Sequence, residues 1–299
     1  MTTSRGTGPG LAGPRSSAGP QRWALGIYAG PSPLGLAAVP GVNPVLTRWD
    51  VADVEAGFVA DPFLLQLGGT WHLYFEVWNE ASGKGEIGLA TSADGRRFHY
   101  QGIVLSEPFH LSYPQVFTWR REVYMVPETL GAGAVRLYRA QAFPGGFVPI
   151  ADLVPGELAD PSLFRHAGRW WMLACSDPHT HGTLELFGAD RLAGPWQRHP
   201  ASPLVAGDPR AARPAGRVVR WKGRPWRFAQ DCGPVYGFRV RAFEVLELSR
   251  ERYREREHEA SPVLVPSGKG WNGARMHHLD AHRLTDGTWL ACVDGYGHD

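Results

Sequence analysis

Hydrophobic and polar positions along the chain repeat one pattern of two short strands five times. In four copies the first strand opens with a residue followed by proline, and successive openings lie 52, 47 and 53 residues apart. These openings are Asp61, Tyr113, Asp160 and Arg213. Because proline lacks an amide N–H, we expect it at the first residue of each strand, outside the hydrogen-bonded ladder.

A tight turn and an aromatic-rich second strand follow each opening. Gly-Gly, Ala-Gly, Lys-Gly and Asp-Gly pairs suit two-residue hairpin turns. The second strands begin at Trp71, Val123, Trp170, Trp226 and Trp289. The fifth copy, over 276–293, lacks the proline but keeps the layout. Aromatic side chains at one repeated position fill a buried, pleated surface, so we expect these tryptophans in the core.

The outer half of each repeat ends in a short apolar segment, and its placement indicates a closed ring. One such segment, 43–46, precedes the first strand pair, whereas none follows the last pair. Residues 23–47 would then supply the outer strands of the last blade. The sequence therefore predicts an all-β, five-bladed β-propeller over 23–299, with the last blade closed by N-terminal outer strands. A two-sheet β-sandwich with accidental periodicity is the alternative.

Composition and charge narrow the class of protein. The 37 glycines, 25 prolines and 12 tryptophans in 299 residues suit an all-β chain with many turns. A net charge of +2 without a Lys/Arg run favours neither nucleic acid nor an anionic membrane as the main partner. Residues 1–22 are rich in Gly, Pro and Ser and lack a signal-peptide core, so we expect a disordered tail. No apolar window predicts membrane insertion, and we expect a cytoplasmic protein.

The repeat register also predicts where polar side chains meet. In a propeller the inner strand starts at one mouth of the central channel and the second strand returns to it, so two rings of residues converge there. The first ring, at the starts of the inner strands, consists of Asp61, Tyr113, Asp160, Arg213 and His277 or His278. The second ring, at the ends of the second strands, consists of Glu76, Glu128, Cys175, Asp231 and Asp294. Six of these ten positions are carboxylates.

Clustered carboxylates in a partly dry cleft raise one another's pKa, so that one is protonated while another is ionised. Such a pair serves acid/base chemistry at an acetal carbon. The alternative is structural, because Asp-Pro and Asp-Gly also form turns at strand ends. Cys175 has no evident base partner and is interpreted as a small buried thiol.

Several motifs resemble a known clan of carbohydrate-active propellers. The Asp-Pro openings and the five repeats are similar to glycoside hydrolase family 43 and its relatives. The sequences FVADPF (58–63), SYP (112–114), YMVPE (124–128), QDC (230–232) and MHH (276–278) are closer still to the N-terminal domain of plant glucosamine inositolphosphorylceramide transferases and its bacterial relatives.

The resemblance implies roles for only some of these residues. It implies that Asp61 is the catalytic base or nucleophile. The clan has an aspartate and a glutamate at the starts of its second and third inner strands, where this chain has Tyr113 and Asp160. We assign Glu128, one hairpin later, as the acid and Asp160 as the residue that tunes its pKa. Those two departures put hydrolysis in question.

The remaining candidates are binding residues. We expect Glu76, Tyr113, Arg213, Asp231, His278 and Asp294 to contact substrate at the mouth, and Trp78 and Trp271 to stack on a sugar from nearby loops. His278 alternates with Asp280 and His282, which would share a strand face. A hydrogen-bonded cluster is the expected reading, and a central cation near His278 or a contact to substrate phosphate is the alternative. No other cofactor or metal is expected.

Two functions remain open at this level. The first is a glycoside hydrolase or transglycosidase acting on a glycosidic bond through the mouth carboxylates. The second is a non-catalytic propeller that binds a glycan, a glycolipid headgroup or a sugar phosphate beside a separate transferase. A protein-interaction propeller is a third reading, which the carboxylate-rich mouth disfavours. The sequence does not predict the oligomeric state.

Overall fold

The computed structural model describes residues 21–298, which form five antiparallel sheets of four strands arranged as a five-bladed β-propeller. This confirms the predicted fold class.

From the innermost strand outward, blade 1 contains β3 (Ala56–Leu67), β4 (Thr70–Asn79), β5 (Lys84–Ser92) and β6 (His99–Leu105). In the same order, blade 2 contains β7 (Ser112–Trp119), β8 (Glu122–Glu128), β9 (Ala134–Ala142) and β10 (Gly145–Pro155). Blade 3 contains β11 (Ala159–His166), β12 (Arg169–Cys175), β13 (Leu184–Ala189) and β14 (Gln197–Arg198). Blade 4 contains β15 (Val219–Trp221), β16 (Arg224–Asp231), β17 (Arg239–Leu248) and β18 (Tyr253–Glu257). Blade 5 contains β19 (Leu279–Arg283), β20 (Trp289–His298), β1 (Gln21–Ser32) and β2 (Gly35–Ala38).

Blade 5 joins the two ends of the described chain. Strand β1 pairs antiparallel with β20 from Gln21–His298 to Gly30–Trp289, and β2 adds the outer edge. Residues 1–20 of the predicted 1–22 tail lie outside the described residues, while Gln21 and Arg22 belong to β1. This pairing covers the outer edge of β20 and ties the two ends of the described chain together in one blade.

Trp271 packs against this blade. It lies in a 3₁₀ turn, Gly270–Asn272, and its ring covers two glycines of the sheet. A Cβ added at Gly26 would lie 2.4 Å from the ring, and one at Gly295 2.7 Å. The glycines therefore create the flat surface on which Trp271 packs, and Trp271 does not line the mouth cavity. The other 3₁₀ turns are Arg48–Asp50 and Leu130–Ala132.

The X-Pro pairs of the first three blades lie at β-bulges, near the predicted strand starts in β7 and β11 but five residues into the strand in β3. Strand β3 begins at Ala56, upstream of Asp61, and its register with β4 shifts between Ala60 and Phe63. Equivalent shifts occur in β7 and β11. The residues before proline have φ of 52° at Asp61, 49° at Tyr113 and 52° at Asp160. This left-handed conformation costs about 1–3 kcal/mol for a residue other than glycine, and such strain is common at functional sites.

The inner strands of blades 4 and 5 are shorter than predicted. In blade 4 the Arg213-Pro214 segment contacts its neighbour through an isolated bridge between Pro214 and Ala229, and β15 starts only at Val219. In blade 5 the ladder starts at Leu279 and not at Met276. Arg213 and His277, which lie upstream of these two strands, line the channel mouth.

Below the mouth, polar side chains close the central channel. The Tyr113 hydroxyl accepts a hydrogen bond from the amide of Gly216 at 2.6 Å and lies 2.7 Å from the Ser162 hydroxyl. Deeper still, Arg217 donates to Asp280 at 2.8 Å and to a carbonyl of blade 2. These contacts join separate blades across the axis. Across residues 21–298 there is no helix with the length and hydropathy to span a bilayer.

Candidate functional site

The mouth of the channel contains a cavity of about 190 Å³. Five of the predicted ring residues line it: Asp61, Glu76, Glu128, Arg213 and His277. Six further residues complete the wall, namely Trp23, Phe58, Ala60, His110, Ser112 and Tyr236. The register of the repeat thus brings together carboxylates from blades 1 and 2 with cationic groups from blades 4 and 5.

Asp61 forms part of a buried chain of alternating acid and imidazole groups. Its backbone N–H donates to Oδ2 of Asp294 at 3.2 Å, which satisfies the amide left unpaired by the bulge. Nδ1 of His277 lies 2.7 Å from the same Asp294 oxygen, and its Nε2 lies 4.0 Å from Oδ1 of Asp61. The histidine ring therefore stands between the two carboxyl groups.

The electrostatics of this chain separate its two acids. Burial raises the pKa of Asp61 to about 7, although His277 opposes the shift. Burial also disfavours the ionised form of Asp294, yet His277 holds the pKa of Asp294 below its usual range. The pKa of His277 is raised, because Asp294 and Asp61 outweigh the effect of its burial. Asp294 and His277 therefore form an ion pair behind Asp61, which titrates near neutrality.

The same three residues offer a set of metal ligands. One ligand atom from each of Asp61, His277 and Asp294 lies within 4.8 Å of the others. A carboxylate–imidazole set of this kind suits several divalent cations. A protonated His277 balances the same two carboxylates without a cation. A central cation, the alternative considered near His278, would thus have its imidazole ligand on the neighbouring His277.

Glu128 is held by the strand opening of the next blade. Its Oε2 accepts the backbone N–H of Asp160 at 3.1 Å and lies 3.4 Å from Nη2 of Arg213. Burial and then the Asp160 charge raise the pKa of Glu128 to about 8, against the effect of Arg213. Glu128 is therefore mostly protonated at neutral pH and can donate a proton into the cavity.

Arg213 lines the cavity but has no hydrogen left for a ligand. Its Nε and Nη2 donate hydrogen bonds to the Asp160 carboxylate at 2.6 and 3.4 Å. Nη2 also donates to Glu128, while Nη1 donates to the Pro178 carbonyl oxygen and lies within hydrogen-bonding distance of His181 Nδ1. A guanidinium carries five N–H donors, and these contacts use all of them. Arg213 is therefore a positioning residue. These bonds argue against the expected polar contact between Arg213 and substrate, and its guanidinium also lies over the Tyr236 ring at 5.3 Å.

Asp160 is buried beside the cavity and does not line it. Besides Arg213, its Oδ2 accepts a hydrogen bond from Gln230 at 2.7 Å. Its charge acts on Glu128 and on Asp61, in each case raising the pKa of the neighbour. This position supports the predicted role of a residue that tunes pKa and argues against direct contact with substrate.

Glu76 is the third carboxyl group of the cavity wall. Burial, with Asp61 and the other carboxylates adding to it, raises the pKa of Glu76 well above its usual range. His110 accepts the amide of Gly85 at Nδ1, at 2.8 Å, so a neutral ring carries its proton on Nε2. That nitrogen lies 3.6 Å from Oε1 of Glu76.

Four other predicted contacts lie outside the cavity. Tyr113 is fully buried in the channel, where its hydroxyl is used by Ser162 and Gly216. The Asp231 carboxylate turns away from the axis and accepts a hydrogen bond from Nε of Arg239 at 2.8 Å. Asp294 lies behind His277 and is fully buried. His278 packs edge-on against Phe63 and Tyr113, and burial lowers the pKa of His278 to about 4.

Two predictions beside the site are also corrected. Trp78 lies in strand β4 and not in a loop, stacks with Phe58 and lines a shelf of about 320 Å³ next to the cavity. His278 does not join Asp280 and His282. Instead, Asp280 lies 2.8 Å from Nε2 of His282 and accepts a hydrogen bond from Arg217. These residues therefore form a structural hydrogen-bonded cluster.

Sequence reasoning did not predict the aromatic walls of the cavity as binding residues. Trp23 stacks on His277 at 4.0 Å with an interplanar angle of 16°, and Tyr236 meets the same ring edge-on at 5.3 Å. Phe58 lies three residues before Asp61 on the same strand, and this was the one feature of the sequence that could have placed Phe58 near the mouth. Trp23 and Tyr236 lie outside the repeated strand pairs, so the repeat carried no information on them.

Comparison with known proteins gives a family and a fold. Residues 17–296 match the family model described as "Glucosamine inositolphosphorylceramide transferase 1, N-terminal". The glucosamine inositolphosphorylceramide transferase 1 of Oryza sativa subsp. japonica is 38% identical over 298 residues, and that of Arabidopsis thaliana is 35% identical over 297. Each alignment covers 91% of this chain but only 40% and 39% of the relative. The chain therefore spans about two fifths of their length.

Solved structures with the same fold are glycoside hydrolases of low sequence identity. A family 117 glycoside hydrolase of Zobellia galactanivorans has a TM-score of 0.55 at 14% identity, covering 94% of this chain and 91% of its own. The α-L-arabinanase of Cellvibrio cellulosa has 0.59 at 16%, covering 81% and 93%. The GH62 α-L-arabinofuranosidase domain of Coprinopsis cinerea has 0.59 at 13%, covering 91% and 97%. At these identities the likeness concerns the fold alone.

Proposed function

Since the chain belongs to the family of the N-terminal region of glucosamine inositolphosphorylceramide transferase 1, we propose that it is a carbohydrate-active propeller that binds one sugar unit at the mouth and acts on its glycosidic bond. The observation that carries this proposal is the pair of carboxyl groups facing one cavity with the pKa of Asp61 near 7 and that of Glu128 near 8. An acid and a base with these values coexist at neutral pH.

The shape of the cavity supports a small ligand with both polar and apolar faces. Its volume of about 190 Å³ is below the roughly 300–1,000 Å³ of sites for drug-sized molecules, which suits a single sugar ring. Trp23, Phe58 and Tyr236 offer aromatic surface for the apolar face of the ring. Glu76 and Ser112 offer polar atoms for its hydroxyl groups.

The proposed reaction uses Glu128 as acid and Asp61 as base or nucleophile. Glu128 gives its proton to the glycosidic oxygen as the bond between that oxygen and the anomeric carbon breaks. The Asp61 carboxylate either attacks the anomeric carbon or takes a proton from the attacking water. The His277–Asp294 pair behind Asp61 holds it in place, and Asp160 keeps the pKa of Glu128 high.

A second candidate is a sugar-binding domain without catalysis. It is supported by the hydrogen bonds from Arg213 to Asp160 and Glu128, which hold the proposed acid in place. It also fits the names of the relatives, which are transferases more than twice the length of this match. In that case the propeller would present a glycan, glycolipid headgroup or sugar phosphate to a separate transferase.

Turnover of aryl glycosides and oligosaccharides distinguishes the two candidates. The test variant is Asp61→Asn with Glu128→Gln, and the matched control is Glu122→Gln, which changes an exposed glutamate at the other end of the same strand. Turnover by the wild type and the control but not by the double variant supports catalysis. Sugar binding by all three proteins without turnover supports the binding domain. No binding and no turnover would contradict both.

A further inference from the structure

The end of the propeller opposite the mouth, here called the far face, carries a group of exposed cations. It is formed by the turns to which the inner strands run: β7–β8, β11–β12 and β15–β16. The exposed cations on these turns and their flanking strand ends are Arg120, Arg121, Arg165, Arg220 and Lys222.

These cations are available for an external anion. Within residues 21–298 none of the five forms an ion pair, whereas nearby Arg169 pairs with Asp190 and Arg224 with Glu244. The protein as a whole has a net charge of only +2, and its mouth is lined by carboxyl groups. Positive charge is thus concentrated on the end remote from the mouth, where it creates a local attractive potential for anions.

Two clefts flank the β11–β12 turn and share Arg165. One, of about 550 Å³, runs between blades 2 and 3, and its lining includes Trp119, three arginines and two carboxylates: Arg120, Arg165, Arg191, Glu122 and Asp190. The second, of about 470 Å³, lies between blades 3 and 4 beside Arg165 and Arg220. The Arg165 guanidinium lies over the Trp119 ring at 4.4 Å, and Lys222 lies over Trp221 at 4.3 Å.

Two apolar side chains are partly exposed at the same end. Leu67, at the β3–β4 turn, is 39% exposed, and Phe143, at the β9–β10 turn, is 37% exposed. Strand β9 runs antiparallel to β8, which ends at the mouth residue Glu128, so the turn after β9 lies on the far face. Half-buried Trp119 and Trp221 border the cations there.

We propose that the far face is a peripheral binding surface for a membrane containing anionic lipids. Arginine, lysine and tryptophan beside exposed leucine and phenylalanine combine attraction to lipid phosphates with shallow burial of apolar groups. Nucleic acid would use the same cations but has no need of partly exposed Leu67 and Phe143. No run of basic residues predicts this face, because the cations come from three separate repeats.

The proposal has a consequence for the mouth. A propeller lying on a membrane by its far face directs the mouth cavity away from that membrane. The sugar taken at the mouth would then belong to a soluble glycan or to a molecule held above the bilayer. Binding of the far face is independent of the function proposed for the mouth, and the two can fail separately.

Flotation with large unilamellar vesicles tests the proposal on the full chain. Vesicles of phosphatidylcholine alone are compared with vesicles in which part of the lipid is phosphatidylserine, at low and high salt. The test variant is R120N/R121N/K222N, since asparagine tolerates the left-handed φ of these turns. The control, R48Q/K269Q/R275Q, removes three cations on the mouth side. A second variant, L67S/F143S, removes the partly exposed apolar groups.

We expect the wild type and the control to bind anionic vesicles, and binding to weaken at high salt. Neutralising the three far-face cations should weaken binding about fivefold for each charge, on the order of a hundredfold in total. L67S/F143S should also weaken binding while leaving its salt dependence intact. Equal binding to neutral vesicles, no binding by the wild type, or equal losses in test and control would overturn the proposal. Binding of an RNA or DNA oligomer without vesicle binding would overturn it as well.

Discussion

The backbone N–H of Asp160 donates a hydrogen bond to the side-chain carboxyl group of Glu128 at 3.1 Å. This contact joins blades 2 and 3. Between blades 5 and 1, the backbone N–H of Asp61 donates to the Asp294 carboxyl group in the same way, at 3.2 Å. Asp61 and Asp160 both have a φ of 52° at a bulge. A second-strand carboxyl group thus anchors the strained opening of the next blade, and the same contact fixes the residues of the cavity.

Glutamine at position 128 should separate stability from chemistry. With a pKa of about 8, Glu128 is mostly neutral at pH 7, and Gln is close to that neutral form in shape. We expect Glu128→Gln to change the free energy of unfolding by less than about 1 kcal/mol, because its oxygen can still accept the Asp160 N–H. Glu128→Ala should lose about 2–3 kcal/mol. Urea unfolding measures both, and an equal loss for Gln would contradict the neutral state.

The pH dependence of any turnover should be narrow. The base Asp61 must be ionised, which requires a pH above about 7, and the acid Glu128 must be protonated, which requires a pH below about 8. We expect a bell-shaped profile of kcat/KM with its maximum between these values, whose limbs report the pair and not either group alone. In Glu128→Gln the alkaline limb should disappear from the residual rate.

Folding stability should fall as the pH rises from about 5 to 9. The folded-state pKa values of Asp61 and Glu128 lie above their unfolded values, so the folded state holds protons that the unfolded state releases. Glu76 and His277, whose pKa values are also raised, act in the same direction. His278, whose pKa is lowered to about 4, opposes them at the acid end of the range. We expect a net loss of a few kcal/mol in chemical denaturation. The D61N/E128Q variant should show a flatter curve, with the remaining slope due to Glu76 and His277, and a wild-type curve rising over this range would contradict the assignment.

Arg213 should be among the costliest polar residues to replace. Arg213→Gln leaves the buried Asp160 without its counter-ion, and loss of one partner of a buried pair costs about 3–5 kcal/mol. The matched control is Arg136→Gln, which breaks an exposed pair with Asp152 and should cost at most about 1 kcal/mol. Thermal or denaturant unfolding of the two variants measures the difference. Equal small losses would show that Arg213 does not hold the site together.

The repeat predicts the fold and five of the eleven cavity residues, because both follow from strand register. Register defines which backbone positions converge at the mouth, and it does so correctly for Asp61, Glu76 and Glu128. It does not specify where a side chain points once it arrives. Tyr113 and Asp231 occupy predicted positions, yet one turns down the channel and the other outward to Arg239.

The remaining cavity residues could not be found from the repeat. Trp23 lies on the N-terminal strand of the closing blade and Tyr236 in a loop, where no periodicity identifies them. Trp271 shows the converse case. Its sequence context suggested an exposed aromatic, but the glycines at 26 and 295 lie far from it in sequence and become its packing surface only in the folded sheet.

The most direct test of the central claim is calorimetric titration with the sugar that a glycan panel identifies. The wild type is compared with Trp23→Ala, which removes the cavity wall stacked on His277, and with Trp49→Ala, which removes a tryptophan that is 71% exposed and outside the cavity. We expect wild-type affinity in Trp49→Ala and affinity at least about tenfold weaker in Trp23→Ala, as for loss of a desolvated aromatic contact. Unchanged binding in Trp23→Ala, or no binding of any sugar by the wild type, would contradict a sugar site at the mouth.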